Sequence, residues 1–92
     1  MTNDEIRACL IADKYVNNID QESKLKKLGE EVAEFIMAVM KDDKVNMKEE
    51  AGDVCFLILH ILSKEIPQNE INIDRFILEA SDKMFGRFNK NK

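Results

Sequence analysis

The chain has 92 residues, of which 45% are hydrophobic and 35% are charged, and its formal net charge is −4. A chain of this length forms one small domain, residues 1–92, whose own core is modest, so assembly with further copies is a natural way to bury more apolar surface. The acidic balance, with no more than two adjacent basic residues anywhere, argues against nucleic acid as a partner. The longest apolar run, 54–59, is too short to span a membrane, so no membrane partner is expected.

The cysteines and the beginning of the chain bear on the compartment. Cys9 and Cys55 lack the spacing of a metal site and stand in apolar helical contexts. We therefore expect them to be buried thiols in a reducing cytoplasm. The first residues are acidic, at Asp4 and Glu5, and lack the apolar run of about 7–15 residues that a signal peptide carries. These features predict a cytoplasmic protein.

The chain reads as a series of helices with short joints, because it holds one proline and three glycines and shows no sustained strand alternation. The predicted helices run, in order, from about Asp4 to Val16, from Asp20 or Gln21 to Lys41, from Asn46 to Glu65, and from Asn72 or Ile73 to Phe88. Pro67 ends the third helix. We therefore predict an all-α, four-helix, bundle-like domain with an oligomeric core.

The apolar residues of the two middle helices predict how the domain packs. The second helix carries an apolar stripe, expected to form the core, at Leu25, Leu28, Val32, Phe35, Ile36 and Val39. The third helix is apolar on almost every side from Val54 to Leu62, and a helix of this kind must be buried all round. Three other short helices cannot cover it. We predict a homodimer or homotetramer, with the third helix in the interface and an active site shared between subunits.

Two acidic pairs interrupt these apolar patterns, Glu31 with Glu34 and Glu50 with Asp53. Residues three apart lie on the same side of a helix, so each pair can aim two carboxylates at one point. The short turn makes the second and third helices antiparallel neighbours. Glu34 and Asp53 each lie about nine residues from the turn. At a rise of about 1.5 Å per residue, the two pairs therefore lie at the same level. Four carboxylates at one level form a hard-oxygen site that suits Mg²⁺ or Mn²⁺.

These acids also have other interpretations. Acidic pairs on helices are commonly solvated surface, and either pair alone indicates no more than that. Gly52, which costs about 1 kcal/mol relative to alanine inside a helix, suggests close approach by a helix or ligand. A di-iron site needs histidines from two helices, but the single histidine, His60, lies about 10 Å along the axis from Asp53. We expect His60 to be structural or at a subunit interface.

The segments Glu30-Glu31-Val32-Ala33-Glu34 and Glu50-Ala51-Gly52-Asp53 carry a family resemblance. They resemble the Glu-Glu-x-x-Glu and Glu-x-x-Asp pattern of the MazG-like nucleoside triphosphate pyrophosphohydrolases. Residues 82–88, Asp-Lys-Met-Phe-Gly-Arg-Phe, are similar to the basic and aromatic segment that closes many such domains. The resemblance covers about residues 20–90. It implies an all-α fold, assembled as dimers or tetramers, that cleaves nucleoside triphosphates into the monophosphate and pyrophosphate.

The resemblance also implies roles for individual residues. The residues that match the Mg²⁺ ligands and catalytic acids of the family are Glu31, Glu34, Glu50 and Asp53. Lys83 and Arg87 match its basic residues near the phosphates and, four apart, can face one anion. A solvated basic face is the alternative for both. Lys24 and Lys27 are further candidates to reach phosphates, although Lys27 can instead pair with Glu31.

Two alternatives to this function stay open. Residues 29–34 also resemble the corresponding helix of phosphoribosyl-ATP pyrophosphohydrolase, but that family typically has a histidine where this chain has Leu57. Gly86 stands where the MazG-like pattern often has a bulky or basic residue. This departure concerns the phosphate contact of the last helix. The second alternative is a non-catalytic helical oligomer, a degenerate relative that binds nucleotides or a protein partner.

Overall fold

The computed structural model describes residues 2–12 and 18–90, and the side chains of residues 2–10 and 18–86. These residues form helices and no strand, which confirms the predicted all-α class. The elements are α1 (Asn3–Ala12), α2 (Gln21–Met40), α3 (Lys44–Glu65), a short 3-10 turn (Gln68–Glu70) and α4 (Ile73–Lys90). The predicted bounds of α2, α3 and α4 agree within two residues. The predicted end of the first helix, Val16, lies outside the described residues.

An antiparallel hairpin of α2 and α3 forms the centre of the fold, and α1 packs on α3. At the open end of the hairpin, the Gln21 side chain donates to the backbone oxygen of Ile61 at 3.2 Å. At the closed end, Asp42 adopts a φ of 56°, which Asp tolerates better than most residues. This conformation lets the N–H of Asp43 donate to the Ala38 oxygen at 3.0 Å. These bonds fix the register between the acidic residues of the two helices.

A polar clasp ties α1 to the start of α4. Arg7 Nε donates to the backbone oxygen of Ile71 at 2.9 Å, and a second guanidinium nitrogen donates to the same oxygen. Asn3 Oδ1 accepts a hydrogen bond from the N–H of Ile73 at 3.0 Å, and its Nδ2 donates to Asn72 at 3.3 Å. Ile71 itself is fully buried. The clasp therefore holds together segments that lie more than sixty residues apart in the chain.

Arg7→Ala is expected to lower the free energy of unfolding by about 1.5–3 kcal/mol, because the Ile71 carbonyl loses a charged donor. Urea denaturation followed by circular dichroism measures this loss. Arg75→Ala is the matched control. Among the described residues, the exposed side chain of Arg75 bonds only Glu79 on its own helix, at 2.9 Å, so its loss should cost less than about 0.5 kcal/mol. Equal losses in the two variants would contradict a role for the clasp.

The core of one chain is small. Among the described side chains, the buried apolar residues are Leu10, Ala38, Leu57 and Ile71. Four residues of the predicted α2 stripe are instead well exposed, namely Leu25 at 54%, Val32 at 38%, Ile36 at 51% and Val39 at 48%. We call these four residues the outer face of α2. The prediction that they fill the core of one chain is wrong, because the hairpin register turns Lys24, Glu31 and Ala38 inward instead.

The shape of the chain agrees with this small core. The radius of gyration is 15.3 Å, whereas a compact chain of this length has about 12 Å. Helix α4 carries four more exposed apolar residues, Ile77, Leu78, Met84 and Phe85. Within the described residues, no helix combines the length and hydrophobicity needed to cross a bilayer. The exposed apolar surface therefore lies on amphipathic helices that one chain leaves uncovered.

Both thiols lie on the surface, so the prediction that Cys9 and Cys55 are buried is wrong. The reason is the helical period of about 100° per residue. Cys9 directly precedes buried Leu10, and Cys55 lies two residues before buried Leu57, so each thiol points well away from the buried direction of its helix. The apolar residues around each cysteine in the sequence do not show which side of the helix is buried.

Candidate metal centre

Three acidic side chains from α2 and α3 meet at one level of the hairpin: Glu31, Glu50 and Asp53. Each offers a carboxylate oxygen, and these oxygens all lie within 4.8 Å of one another. Glu31 is buried at 7% exposure, Glu50 is partly buried and Asp53 is exposed, so the cluster opens to solvent on one side. We call these three residues the acidic cluster. The structure thus brings together three of the four acids that the sequence placed at one level.

Glu34, the fourth predicted acid, lies at the rim of the acidic cluster. Its side chain is exposed, and it is close enough to Glu50 to raise the pKa of that carboxyl group through hydrogen bonding and charge. Three residues turn a helix by about 300°, so Glu34 points about 60° away from Glu31. This offset explains why Glu31 is buried against α3 while Glu34 faces solvent.

The carboxylates of the cluster alter one another's protonation. Hydrogen bonding with Glu31 is the main cause that raises the pKa of Glu50 to about 7, and desolvation and Glu34 add to it. The same contact is the main cause that lowers the pKa of Glu31, and Lys27, whose Nζ lies 3.6 Å from Oε1, acts in the same direction. Glu31 and Glu50 therefore share a proton, or hold a cation, near neutral pH.

Two oxygens of the cluster have no hydrogen-bond donor. Oε2 of Glu31 and Oε2 of Glu50 are buried, and no donor among the described residues reaches either atom. Buried carboxylate oxygens without a partner are costly, and a divalent cation between them would remove that cost. A donor set of carboxylate oxygens alone fits Mg²⁺ or Mn²⁺ better than zinc or iron. The residues present therefore fit a hard divalent cation.

Comparison with known protein families gives a match over most of the chain. The model of the MazG nucleotide pyrophosphohydrolase domain matches residues 19–91, which include all three residues of the acidic cluster. The chain belongs to the MazG family. The resemblance that the acidic motifs indicated is thereby confirmed. No curated protein and no solved structure matches the chain.

The predicted phosphate-binding residues of this MazG domain differ in where they lie relative to the acidic cluster. Lys27 forms an ion pair with Glu31 and so lies beside the acidic cluster, as the sequence suggested. Lys83 is exposed on α4 and forms no ion pair with any described residue. Arg87 also belongs to α4, but its side chain lies outside the described side chains. Of the three predicted residues, the structure places Lys27 at the acids.

Lys24 and His60 are both buried inside the fold. Lys24 is 1% exposed and its Nζ has no hydrogen-bond partner among the described residues. Burial lowers its pKa, and the charge of Lys64 lowers it further. The expectation that Lys24 reaches phosphates is wrong, because it lies two turns before Glu31 on the same buried side of α2. His60 is fully buried and packs edge-on against Phe56, with ring centroids 4.5 Å apart, as a structural histidine would.

A cavity next to the acidic cluster was missed by sequence reasoning. It has a volume of about 170 Å³, and Lys41 and Asn46 line it together with Glu34 and Glu50. The sequence pattern marks Asn46 only as the start of the third predicted helix. Its spacing of four residues from Glu50 places both on one side of α3 and could have indicated a shared site.

Gly52 has no close neighbour in the described part of the MazG domain. A Cβ atom built at Gly52 meets no atom within 4 Å, so the close approach expected from the sequence does not occur within one chain. Alanine should therefore fit there without strain.

Gly52→Ala is expected to raise the free energy of unfolding by about 1 kcal/mol, the difference in helix propensity. Urea denaturation measures the gain, and pyrophosphate release should be unchanged. Gly29→Ala, at a second open position on α2, is the control for a pure propensity effect. Lost activity in Gly52→Ala alone would contradict this prediction and indicate a ligand or subunit that packs there.

Proposed function

We propose that this MazG domain is a Mg²⁺-dependent pyrophosphohydrolase of ribo- or deoxyribonucleoside triphosphates. It cleaves the bond between the α- and β-phosphates and releases the nucleoside monophosphate and pyrophosphate. The main support is the acidic cluster. One oxygen from each of its carboxylates lies within 4.8 Å of the others, and two buried carboxylate oxygens of the cluster have no donor among the described residues. Mn²⁺ is the expected substitute because it accepts the same oxygen ligands.

In this proposal, the four acids have two roles, cation binding and activation of water. Those that would hold the cation are Glu31, Glu50 and Asp53, with Glu34 at the rim. When bound, the cation neutralises phosphate charge and polarises the α-phosphorus. Glu34 faces solvent beside Glu50, so it is placed to orient the attacking water and accept its proton.

The positive charges in this proposal come from three basic residues. Lys27 lies 3.6 Å from Glu31 and is more than half exposed, so its ammonium group can turn from Glu31 toward an incoming phosphate. Lys83 and Arg87 are proposed as further phosphate contacts, supplied by α4. Because one chain shows no contact between Lys83 and the acids, a second copy is the source we favour.

The proposed function is tested by measuring pyrophosphate release from all ribo- and deoxyribonucleoside triphosphates, with and without Mg²⁺. Hydrolysis in water enriched in oxygen-18 should place the label in the monophosphate or the pyrophosphate, and not in orthophosphate. Phosphoribosyl-ATP in the same panel tests the alternative enzyme. Nucleotide binding without turnover of any substrate would contradict the proposal and support the non-catalytic alternative.

Mg²⁺ binding is expected to release protons near neutral pH. Because the pKa of Glu50 is raised to about 7, this group is protonated below that value, and the cation must displace the proton. Apparent Mg²⁺ affinity should therefore rise from about pH 6 to about pH 8. Calorimetry in buffers of different ionisation enthalpy counts the protons released. Glu49→Gln, an exposed neighbour, should behave as wild type, and equal affinity across this range would contradict the prediction.

We further propose that the protein works in the cytoplasm as a homodimer or homotetramer. The support for assembly is the outer face of α2, together with the exposed apolar residues of α4. The support for a reducing compartment is that both cysteines are free thiols. Neither nucleic acid nor membrane is a proposed partner.

A further inference from the structure

An exposed lysine lies against the most buried acid of the acidic cluster. Lys27 Nζ lies 3.6 Å from Oε1 of Glu31, which follows it by one turn of α2. The side chain of Glu31 is 9% exposed, whereas that of Lys27 is 59% exposed. A charge-assisted hydrogen bond between nitrogen and oxygen measures about 2.7–2.9 Å, so this contact is a loose ion pair. Glu31 is therefore held by the fold, and Lys27 can leave it at little cost.

The charges around the cluster give Lys27 a second effect. Among the described residues, it is the one basic side chain that forms an ion pair with the acidic cluster. Three ionised carboxylates and one ammonium group leave a net charge of −2, which a single divalent cation balances. Without Lys27 the net charge is more negative, and the attraction for a free dication is stronger. Lys27 therefore competes with a free cation for Glu31.

The same positive charge acts in the opposite direction on a cation that arrives with phosphates. A nucleoside triphosphate remains negatively charged after it has bound one divalent cation, so an ammonium group attracts the complex. The flexible stem of lysine lets the ammonium group point at phosphate oxygens as well as at a carboxylate. One side chain can thus disfavour the free cation and favour its complex with a triphosphate.

We propose that Lys27 makes the acidic cluster select the cation–triphosphate complex over the free cation. The inference rests on the proposed function, since it concerns the same cation and phosphates. Without substrate, Lys27 pairs with Glu31 and weakens the binding of a free cation. With substrate, the ammonium group turns to the phosphates and leaves Glu31 to the cation. Lys27 thereby makes the binding of cation and the binding of phosphate strengthen each other.

The first test measures binding of Mn²⁺ alone, without nucleotide, from the electron paramagnetic resonance signal of the free ion. Lys27→Gln should bind Mn²⁺ about 3- to 10-fold more tightly than wild type, because the repelling charge is gone. Lys27→Arg keeps the charge and should match wild type. Lys26→Gln is the matched control, since it removes the same charge from an exposed neighbour that forms no ion pair with any described residue.

The second test measures binding of inorganic pyrophosphate at saturating Mg²⁺, by equilibrium dialysis. Pyrophosphate carries neither base nor sugar, so the result does not depend on which nucleotide is the substrate. Lys27→Gln should weaken this binding by about 10-fold, and Lys26→Gln should leave it near wild type. The two effects of Lys27→Gln have opposite signs. A damaged fold would weaken both kinds of binding, and circular dichroism verifies that the variants keep their helix content.

Tighter Mn²⁺ binding together with weaker pyrophosphate binding in Lys27→Gln supports the inference. If Lys27→Gln leaves Mn²⁺ affinity unchanged, or if Lys26→Gln raises it equally, the inference is overturned, and hydrolysis by wild type still upholds the proposed function. If no triphosphate is hydrolysed but the opposite effects appear, the proposed function fails and the inference holds for a site that binds metal and phosphate. Absence of Mn²⁺ binding in wild type and Lys27→Gln alike overturns both.

Discussion

Glutamine in place of Glu50 is expected to lower kcat/KM for every nucleoside triphosphate by about 100- to 1,000-fold. Glu50 contacts both Glu31 and Glu34, so it is the acid through which the two pairs meet. The amide of glutamine has nearly the same shape but carries no charge, and it cannot balance a divalent cation. The steady-state rate of pyrophosphate release, measured at saturating Mg²⁺, gives the size of the loss.

The control for this prediction is Glu49→Gln, the exposed neighbour that does not belong to the acidic cluster, which should keep wild-type activity. Thermal unfolding without Mg²⁺ distinguishes a lost ligand from a damaged fold. Glu50→Gln removes one of the mutually repelling carboxylates, so its melting temperature should equal or exceed that of wild type. A lower melting temperature together with lost activity would contradict the assignment and indicate a structural role for Glu50.

The level of the acidic cluster could be predicted from the sequence because helix geometry is nearly invariant. A rise of about 1.5 Å per residue and a short turn determine which residues of α2 and α3 lie side by side. The caps are local features as well, since Asp20 and Asp43 accept hydrogen bonds from backbone N–H groups at the starts of α2 and α3. Pro67 marks the end of α3 for a similar local reason.

The burial of individual residues could not be predicted in the same way. Periodic spacing identifies an apolar side of a helix, but it does not say whether the same chain or another one covers it. The periodicity therefore predicts a core position for the outer face of α2, which is exposed, and it does not show that Lys24, a candidate to reach phosphates, is buried. The cavity at Asn46 also escaped prediction, because a cavity depends on how side chains from two helices meet around a turn.

Ile36→Glu is expected to raise the dissociation constant of the proposed homodimer by at least about 30-fold, the effect of losing one strong interface residue. Ile36 is 51% exposed and lies in the middle of the outer face of α2. A carboxylate there would be buried without a partner in any interface formed by this face. Sedimentation equilibrium measures the change, with wild type sedimenting as at least twice the chain mass of 10.7 kDa.

The surface area of the chain supports this prediction. The chain exposes 7162 Å², whereas a compact monomer of the same mass exposes about 5,500 Å². The excess of about 1,700 Å² is more than the roughly 800 Å² that each partner contributes to an interface of standard size. Lys26→Glu is the control, because it places a carboxylate on α2 at an exposed position about 100° away from Leu25. A monomeric wild type would contradict the assembly outright.

The same variant separates the acidic cluster from the residues proposed to come from a second copy. Glu31, Glu50 and Asp53 belong to one hairpin, so monomeric Ile36→Glu should bind Mg²⁺ with wild-type affinity in calorimetry. Its rate of pyrophosphate release should nevertheless fall, because Lys83 of α4 has no contact with the acids within one chain. Full activity in a monomer would show that one hairpin is sufficient for catalysis. Loss of Mg²⁺ binding would instead show that assembly shapes the cluster itself.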